Sequence, residues 1–463
     1  MKRVELTIED LFNVSSAVIY EPDKLKNIRY VSIDSRNIKP NTLFIAIKGK
    51  RFDAHQFVKD AVKNGAIAVL INRKRLAQYD NVKVPVITVK DSKLALGEVA
   101  KIWRKKLKAK IIGLTGSSGK TTVKNMLAEL LSVKYKVNKT EANNNNQIGV
   151  PLTILKTNET HQVLVAELGT NHFGEIPYTA SILSPDYSLI TNINDSHLEF
   201  LKTRNGVWKE KSFLFEETTK NGGKVFLNYD DPIIREKHLR KGNRISYGFS
   251  GKVDFKGNIK SFTDDGKPVI EISYKKKSKE FMLPVYGEQN AKNFLAVSAV
   301  ALEFGLSFSE IQSAVSKLKP AKGRLDVQRY KNFILIDDTY NANPDSTKAA
   351  IELVGRIKTF NKKIIFLGDM LELGKSSVKL HERLINLILQ SGINEVYTIG
   401  SLMKNLNKKL KNTSLLTRHF TKRNLLSEFI RNRSFNNSVI LVKGSRGMKM
   451  EEFVEAMINK SMH

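Results

Sequence analysis

Short apolar runs bounded by turns alternate along this chain with stretches in which apolar residues recur every three to four positions. That is how buried strands alternate with helices that show one face to a core. The run Ile111-Ile112-Gly113-Leu114 reads as a buried strand, and residues 123–131 have helical spacing. Apolar runs at 163–166, 188–193, 333–336, 364–367, 395–399 and 439–442 read as further strands. Up to about residue 88 the pattern is short strands and one helix, a small mixed α/β block. From about 89 to 318 strands and helices alternate, as in a parallel sheet covered by helices. Within that block, 252–284 reads as successive β-hairpins with a turn at Asp264-Asp265-Gly266. From 319 onward a second α/β alternation begins. The expectation is an α/β protein of three domains, at 1–88, 89–318 and 319–463. No internal repeat is visible, and Asn143 to Asn146 is the one low-complexity spot.

Composition narrows this picture. With 463 residues and 41% hydrophobic content, the chain suits two to four packed domains. The first eleven residues carry several charges and no apolar core, so no signal peptide is expected. No stretch approaches the roughly 18 uncharged apolar residues of a spanning helix. A cytoplasmic protein without membrane insertion is expected. Zero cysteines exclude disulfides and thiolate metal sites. A net charge of +31 raises nucleic-acid binding as a reading. The lysines are spread through the chain with little aromatic interleaving, which favours a solvated basic surface and no nucleic-acid partner. A positive field also suits anionic small-molecule substrates.

The candidate chemistry sits at strand ends. Between the strand at 111–114 and the helix at 123–131 lies Thr115-Gly116-Ser117-Ser118-Gly119-Lys120-Thr121-Thr122. Glycines let backbone N–H groups approach phosphate oxygens, and a helix N-terminus adds partial positive charge. Lys120 suits the β/γ-phosphates of a nucleotide, and the Thr121 hydroxyl suits Mg²⁺. The spacing is shorter than the common phosphate loop, because Leu114 stands where the upstream glycine would be. The strand at 163–166 ends in Glu167-Leu168-Gly169, a carboxylate where such folds place a metal ligand or water-orienting group. After the next strand come Asp195, His197 and Glu199, with His197 a candidate metal ligand. In the third block, one strand runs into the polar loop from Asp337 and Asp338 to Ser346, with Pro344 set to open a helix. The next leads into Gly368-Asp369-Met370-Leu371-Glu372-Leu373-Gly374, and the last into Lys443-Gly444-Ser445-Arg446-Gly447. The last loop looks like an anion site. Three such loops on strand ends of one sheet point to ligand recognition, because ligands of these sheets sit at the carboxyl ends of strands. Pattern alone assigns no function to Asp34-Ser35-Arg36 or to the rest of the first block.

Together these motifs resemble the Mur ligase family, ATP-dependent amide-forming enzymes of peptidoglycan precursor synthesis, over essentially the whole chain. The resemblance is greatest to members that join D-alanyl-D-alanine to UDP-N-acetylmuramoyl-tripeptide. It is carried by the phosphate loop, by Glu167-Leu168-Gly169 with Asn171-His172-Phe173-Gly174-Glu175-Ile176, by Tyr340-Asn341-Ala342-Asn343-Pro344, and by Asp369-Met370 with Glu372-Leu373-Gly374. The resemblance implies a uridine diphosphate site in the first block with Ser35 and Arg36, a central ATPase, and a Rossmann-like third block that closes over ATP. ATP would meet Gly116 to Thr122, Asn293, Arg324 and Asp338. Substrate would meet Asn341, Asn343, Asp369, Lys443, Ser445 and Arg446. Two Mg²⁺ ions would be held by Thr121, Glu167, His197 and Lys211, the last as its carbamate, whose anionic oxygens suit a hard cation. Lys120, Glu167, His197 and Lys211 would be catalytic, through an acyl phosphate, in a monomer. Gln289 departs from the family's usual histidine. Rival readings are a tripeptide-forming Mur enzyme, a folylpolyglutamate synthase, which has no need of a uridine block, and a basic nucleotide-switched protein that binds nucleic acid.

Overall fold

The computed structural model describes residues 4–49, 52–238 and 242–461. Among them the strands form three sheets, and the chain is an α/β protein. The first sheet has the order Val18–Tyr20, Val86–Val89, Ala66–Asn72, Thr42–Ile45, Tyr30–Ser32. It is parallel except for Val18–Tyr20, which pairs antiparallel with Val86–Val89. The second sheet has nine strands, with Lys110–Thr115 between Tyr187–Ile190 and Val163–Glu167. These central strands are parallel and apolar on both faces, as a sheet covered by helices requires. The sheet turns antiparallel at its far edge, where Phe255–Phe262, Pro268–Tyr274 and Lys277–Met282 form the expected hairpins. The third sheet runs Asp326–Arg329, Phe333–Asp338, Ser438–Lys443, Lys362–Gly368, Glu395–Ile399, Leu416–Phe420.

Two of the apolar cores cross between sheets. Leu43, Ile45 and Ile87 of the first sheet pack in one cluster with Trp103, Ile111 and Leu164. Ile190, Leu198 and Leu201 share another with Ile336, Met370 and Leu373 of the third block. The second contact holds the carboxyl ends of the two larger sheets face to face. Among the described residues, no helix is long and apolar enough to cross a membrane.

Candidate active site

The strand Lys110–Thr115 delivers the chain to Gly116, and the helix Lys120–Leu131 starts immediately after Gly119. Gly119 sits at φ +79°, where an L side chain is strained, and a Cβ there would lie 2.8 Å from Asn293 Oδ1. No side chain caps the helix, so its first N–H groups point outward and its positive end faces a cavity. The N–H groups of Ser117 and Ser118 are engaged elsewhere. They donate to the Asn192 carbonyl at 3.0 Å and to Asn192 Oδ1 at 2.9 Å. The Ser117 hydroxyl accepts from Asn194 N at 2.9 Å and meets Ser196 Oγ at 2.9 Å. These bonds tie the loop to the segment leading to His197.

Lys120 folds back so that Nζ donates to the Gly116 carbonyl at 2.7 Å. Burial pushes its ammonium down to about 8, against the pull of Glu167 and with help from Arg324. Glu167, 1% exposed, ends its strand beside the helix. Its Oε1 accepts from Thr121 Oγ1 at 3.2 Å and from Asn145 Nδ2 at 2.9 Å. Its Oε2 has no hydrogen-bond partner, and the nearest cation is Lys124 Nζ at 3.6 Å. Lys211, on the helix Arg204–Lys220, is 0% exposed, and its Nζ has no hydrogen-bond partner either. Burial, reinforced by Lys120, holds that amine well below the ordinary lysine range. The neighbouring Glu210 instead accepts from Gly174 N at 2.8 Å and Ile176 N at 2.7 Å, and so shapes the loop beside the cavity.

His197 is in the left-handed region at φ +54°, and its Nδ1 lies 2.6 Å from Glu372 Oε2. Burial, with Lys211 and Lys120 nearby, favours the neutral ring. The bond to His197 holds the Glu372 carboxyl low. A carboxylate only accepts, so the His197 nitrogen facing Glu372, Nδ1, is the one that donates.

The facing wall comes from the third block. Asp338 Oδ2 accepts from Lys443 Nζ at 2.6 Å, and Oδ1 accepts from Leu325 N at 3.1 Å. Arg324 stacks 3.9 Å over the ring of Tyr340. Asn341 Oδ1 accepts from Arg446 N at 3.3 Å, and Asn343 caps the helix Pro344–Arg356 by accepting from Ser346 N at 2.8 Å. The cavity between the walls measures about 470 Å³. Of the sequence-derived residues, it brings together Ser117, Ser118, Gly119, Lys120, Thr122, Glu167, His197, Asn293, Arg324, Asp338, Asn341, Asn343 and Lys443.

Other candidates lie off this lining. Thr121 points at Glu167, Lys211 is buried, and a Cβ on Gly116 would run into Thr191. Asp369 accepts from Leu402 N at 3.2 Å and Met403 N at 2.8 Å, at the start of the helix Met403–Leu410. Ser445 Oγ accepts from Leu371 N at 2.8 Å and donates to the Ala342 carbonyl at 3.2 Å. Arg446 is exposed. Ser35 and Arg36 belong to the first block, where Arg36 forks onto Asp34 at 2.9 and 2.8 Å. Sequence reasoning passed over Asn143, Asn145 and Asn146, set aside as low complexity, though all three line the cavity. It also passed over Lys124, which shares a helix face with Thr121 and Lys120 by its spacing.

No group of three or more His, Asp or Glu that could hold a metal occurs among the described residues. A cation here would draw on a mixed set: the free Glu167 Oε2, Thr121 Oγ1, His197 and ligand oxygens. That chemistry fits Mg²⁺, which keeps few protein ligands and takes substrate phosphates for the rest.

Three family models match the chain: "Mur ligase family, catalytic domain" at 27–104, "Mur ligase middle domain" at 114–301 and "Mur ligase, glutamate ligase domain" at 323–446. The UDP-N-acetylmuramoyl-tripeptide–D-alanyl-D-alanine ligase of Haemophilus influenzae is 35% identical over 450 residues, 95% of each chain. A crystal structure of MurF from Acinetobacter baumannii superposes with a TM-score of 0.87 at 30% identity, covering 99% of this chain and 100% of the other. MurF ligase from Thermotoga maritima in complex with ADP gives 0.83 at 27% identity, covering 94% and 98%.

Proposed function

The chain belongs to the Mur ligase family, and we infer that it is the ATP-dependent ligase that joins D-alanyl-D-alanine to UDP-N-acetylmuramoyl-tripeptide in peptidoglycan precursor synthesis. The observation that carries this reading is one shared cavity with the phosphate loop on one wall and Arg324 and Asp338 on the other. In the reaction, the terminal carboxylate of the tripeptide attacks the γ-phosphorus of ATP. The bond to the β–γ bridging oxygen breaks, leaving ADP and an acyl phosphate. The amine of D-alanyl-D-alanine then attacks the acyl carbon, inorganic phosphate leaves, and the amine loses its proton.

The chain's own part in this is position and charge. Lys120 moves from the Gly116 carbonyl onto the β/γ-phosphates, and the uncapped helix start adds N–H donors. Asn293 serves the adenine, while Arg324 and Asp338 hold the nucleotide from the third block. Ser35 and Arg36 take the uridine diphosphate end. Asn341, Asn343 and Arg446 are the groups left to face the dipeptide. Asp369, Lys443 and Ser445 support that face through the bonds described above. Mg²⁺, held by Thr121, Glu167 and His197, would supply charge neutralisation on the transferring group. Lys211 suits carbamate formation, because a neutral buried amine can bond CO₂ and release a proton, giving an anionic oxygen where an ammonium would repel the metal. The reading further places the units at 1–88, 89–318 and 319–463, in a cytoplasmic monomer.

A coupled assay for ADP release tests the activity. Release should require both the UDP-muramoyl-tripeptide and D-alanyl-D-alanine; release indifferent to the dipeptide would sink the assignment. Lys211→Ala should be nearly inactive and partly restored by formate or acetate. Full activity without additives would remove the carbamate.

A further inference from the structure

Glu372 reaches His197 across 175 residues of sequence. It stands in a tight turn that follows the strand Lys362–Gly368, itself in the left-handed region at φ +64°. The turn is anchored to its own block. Leu371 N donates to Ser445 Oγ at 2.8 Å, and Met370 N donates to His381 Nε2 at 2.9 Å. It is also docked on the central block. The Glu372 carbonyl accepts from Glu199 N at 3.0 Å, and a Cβ on Gly374 would lie 3.3 Å from Glu199 Cα. Met370 and Leu373 share a core cluster with Leu198 and Leu201, on the turn of helix that His197 opens. Two backbones, two side chains and an apolar cluster therefore meet at one point between blocks, and His197, Glu372 and Leu373 of that contact line the cavity.

We propose that Glu372 is a positioning residue for the ligase reaction, a carboxylate delivered by the third block that orients the His197 ring and makes it ready only when the two blocks are closed. A carboxylate accepts and cannot donate, so the nitrogen facing it, Nδ1, carries the hydrogen. The lone pair of the neutral ring is thereby assigned to Nε2, the nitrogen available to the cavity. A carboxylate behind a ligating imidazole sets tautomer and ring plane in this way and raises ligand basicity. The left-handed backbone at both His197 and Glu372 shows that the contact is held against local preference. The consequence is a coupling. With the third block swung away, His197 keeps its place in the chain but loses the group that orients it, so nucleotide chemistry waits for closure. The proposal rests on the reading above for the role of His197; the contact itself does not.

The test uses Glu372→Ala and Glu372→Gln in the full chain. The amide oxygen of glutamine can still accept from Nδ1–H, so Glu372→Gln should rescue part of what Glu372→Ala loses. Nitrogen-15 spectra of the free, histidine-labelled protein should show His197 as the Nδ1–H tautomer in the parent and a tautomer mixture in Glu372→Ala. Manganese affinity in the presence of ADP, read by electron paramagnetic resonance, should fall on the order of 10- to 100-fold in Glu372→Ala. The kcat should fall with it, while KM for the UDP-linked substrate stays unchanged. Unchanged tautomer and manganese affinity would overturn the proposal, even if turnover fell, since a merely structural role would do that. Should the parent show no dipeptide-dependent ADP release, the function reading fails, and the tautomer measurement still decides whether Glu372 orients His197.

Discussion

In the central block, Glu167 Oε2 on the cavity wall and the Lys211 amine off its lining are buried with no hydrogen-bond partner. On the facing wall, Lys443 and Asp338, also buried, hold each other at 2.6 Å, and a backbone N–H donates to the other oxygen of Asp338. Both walls bury charge, and burying charge is costly unless it is paired. At Asp338 and Lys443 the third block pairs its charges internally, and that part of the wall is a finished frame. The central block leaves its charges incomplete, and the groups that would complete them are those of the reaction: phosphate, metal and the carbon of a carbamate. A buried polar atom without a partner in one wall, beside a fully paired one opposite, separates the chemistry from its scaffold.

Mutations should respond to that difference. The largest effect is expected from Lys443→Met, which leaves the Asp338 carboxylate buried with Leu325 N as its described donor. Removing one member of a buried pair typically costs roughly 3–5 kcal/mol. Urea unfolding of the full chain should show that loss in the transition of the third block. A variant as stable as the parent but inactive would make Lys443 a ligand group and break the comparison.

Lys120→Ala should do the reverse. Its ammonium is held down by burial, so its loss should leave stability near that of the parent. Turnover should drop on the order of 10²–10³-fold or more, the usual cost of losing a charge-stabilising donor. Circular dichroism with the product assay separates the two. A destabilisation as large as that of Lys443→Met would mean that the central wall is also a frame.

The smallest effect belongs to Arg36→Ala, on neither wall. It should raise KM for the UDP-linked substrate roughly ten- to a hundredfold, about 1.5–3 kcal/mol for a charged contact. The KM for ATP should not move. Equal changes in both constants would show that the substitution disturbs more than the uridine end. It would also show that the two walls are not energetically separate from the first sheet.

The strand at 111–114, the phosphate loop and its helix were legible in the chain alone, because these are local; the folded strand extends one residue further at each end, Lys110–Thr115. Apolar period, glycines and a lysine before two threonines lie within about twenty residues, and their meaning does not depend on what packs nearby. The sequence also singled out the carboxyl ends of the third sheet's strands. It could not separate Asp369 and Ser445, which hold backbone N–H groups, from Asn341 beside the cavity, because acids and hydroxyls look alike in a loop until their partners are known. The asparagine run read as low complexity because repetition hides which member points inward; only folding aims Asn145 at Glu167. Folding alone buries Lys211 without a hydrogen-bond partner, brings Lys124 to Glu167, and carries Glu372 to His197. Ionisation and tautomer follow from burial and from the nearest charge, and those neighbours come from parts of the chain that sequence spacing does not relate.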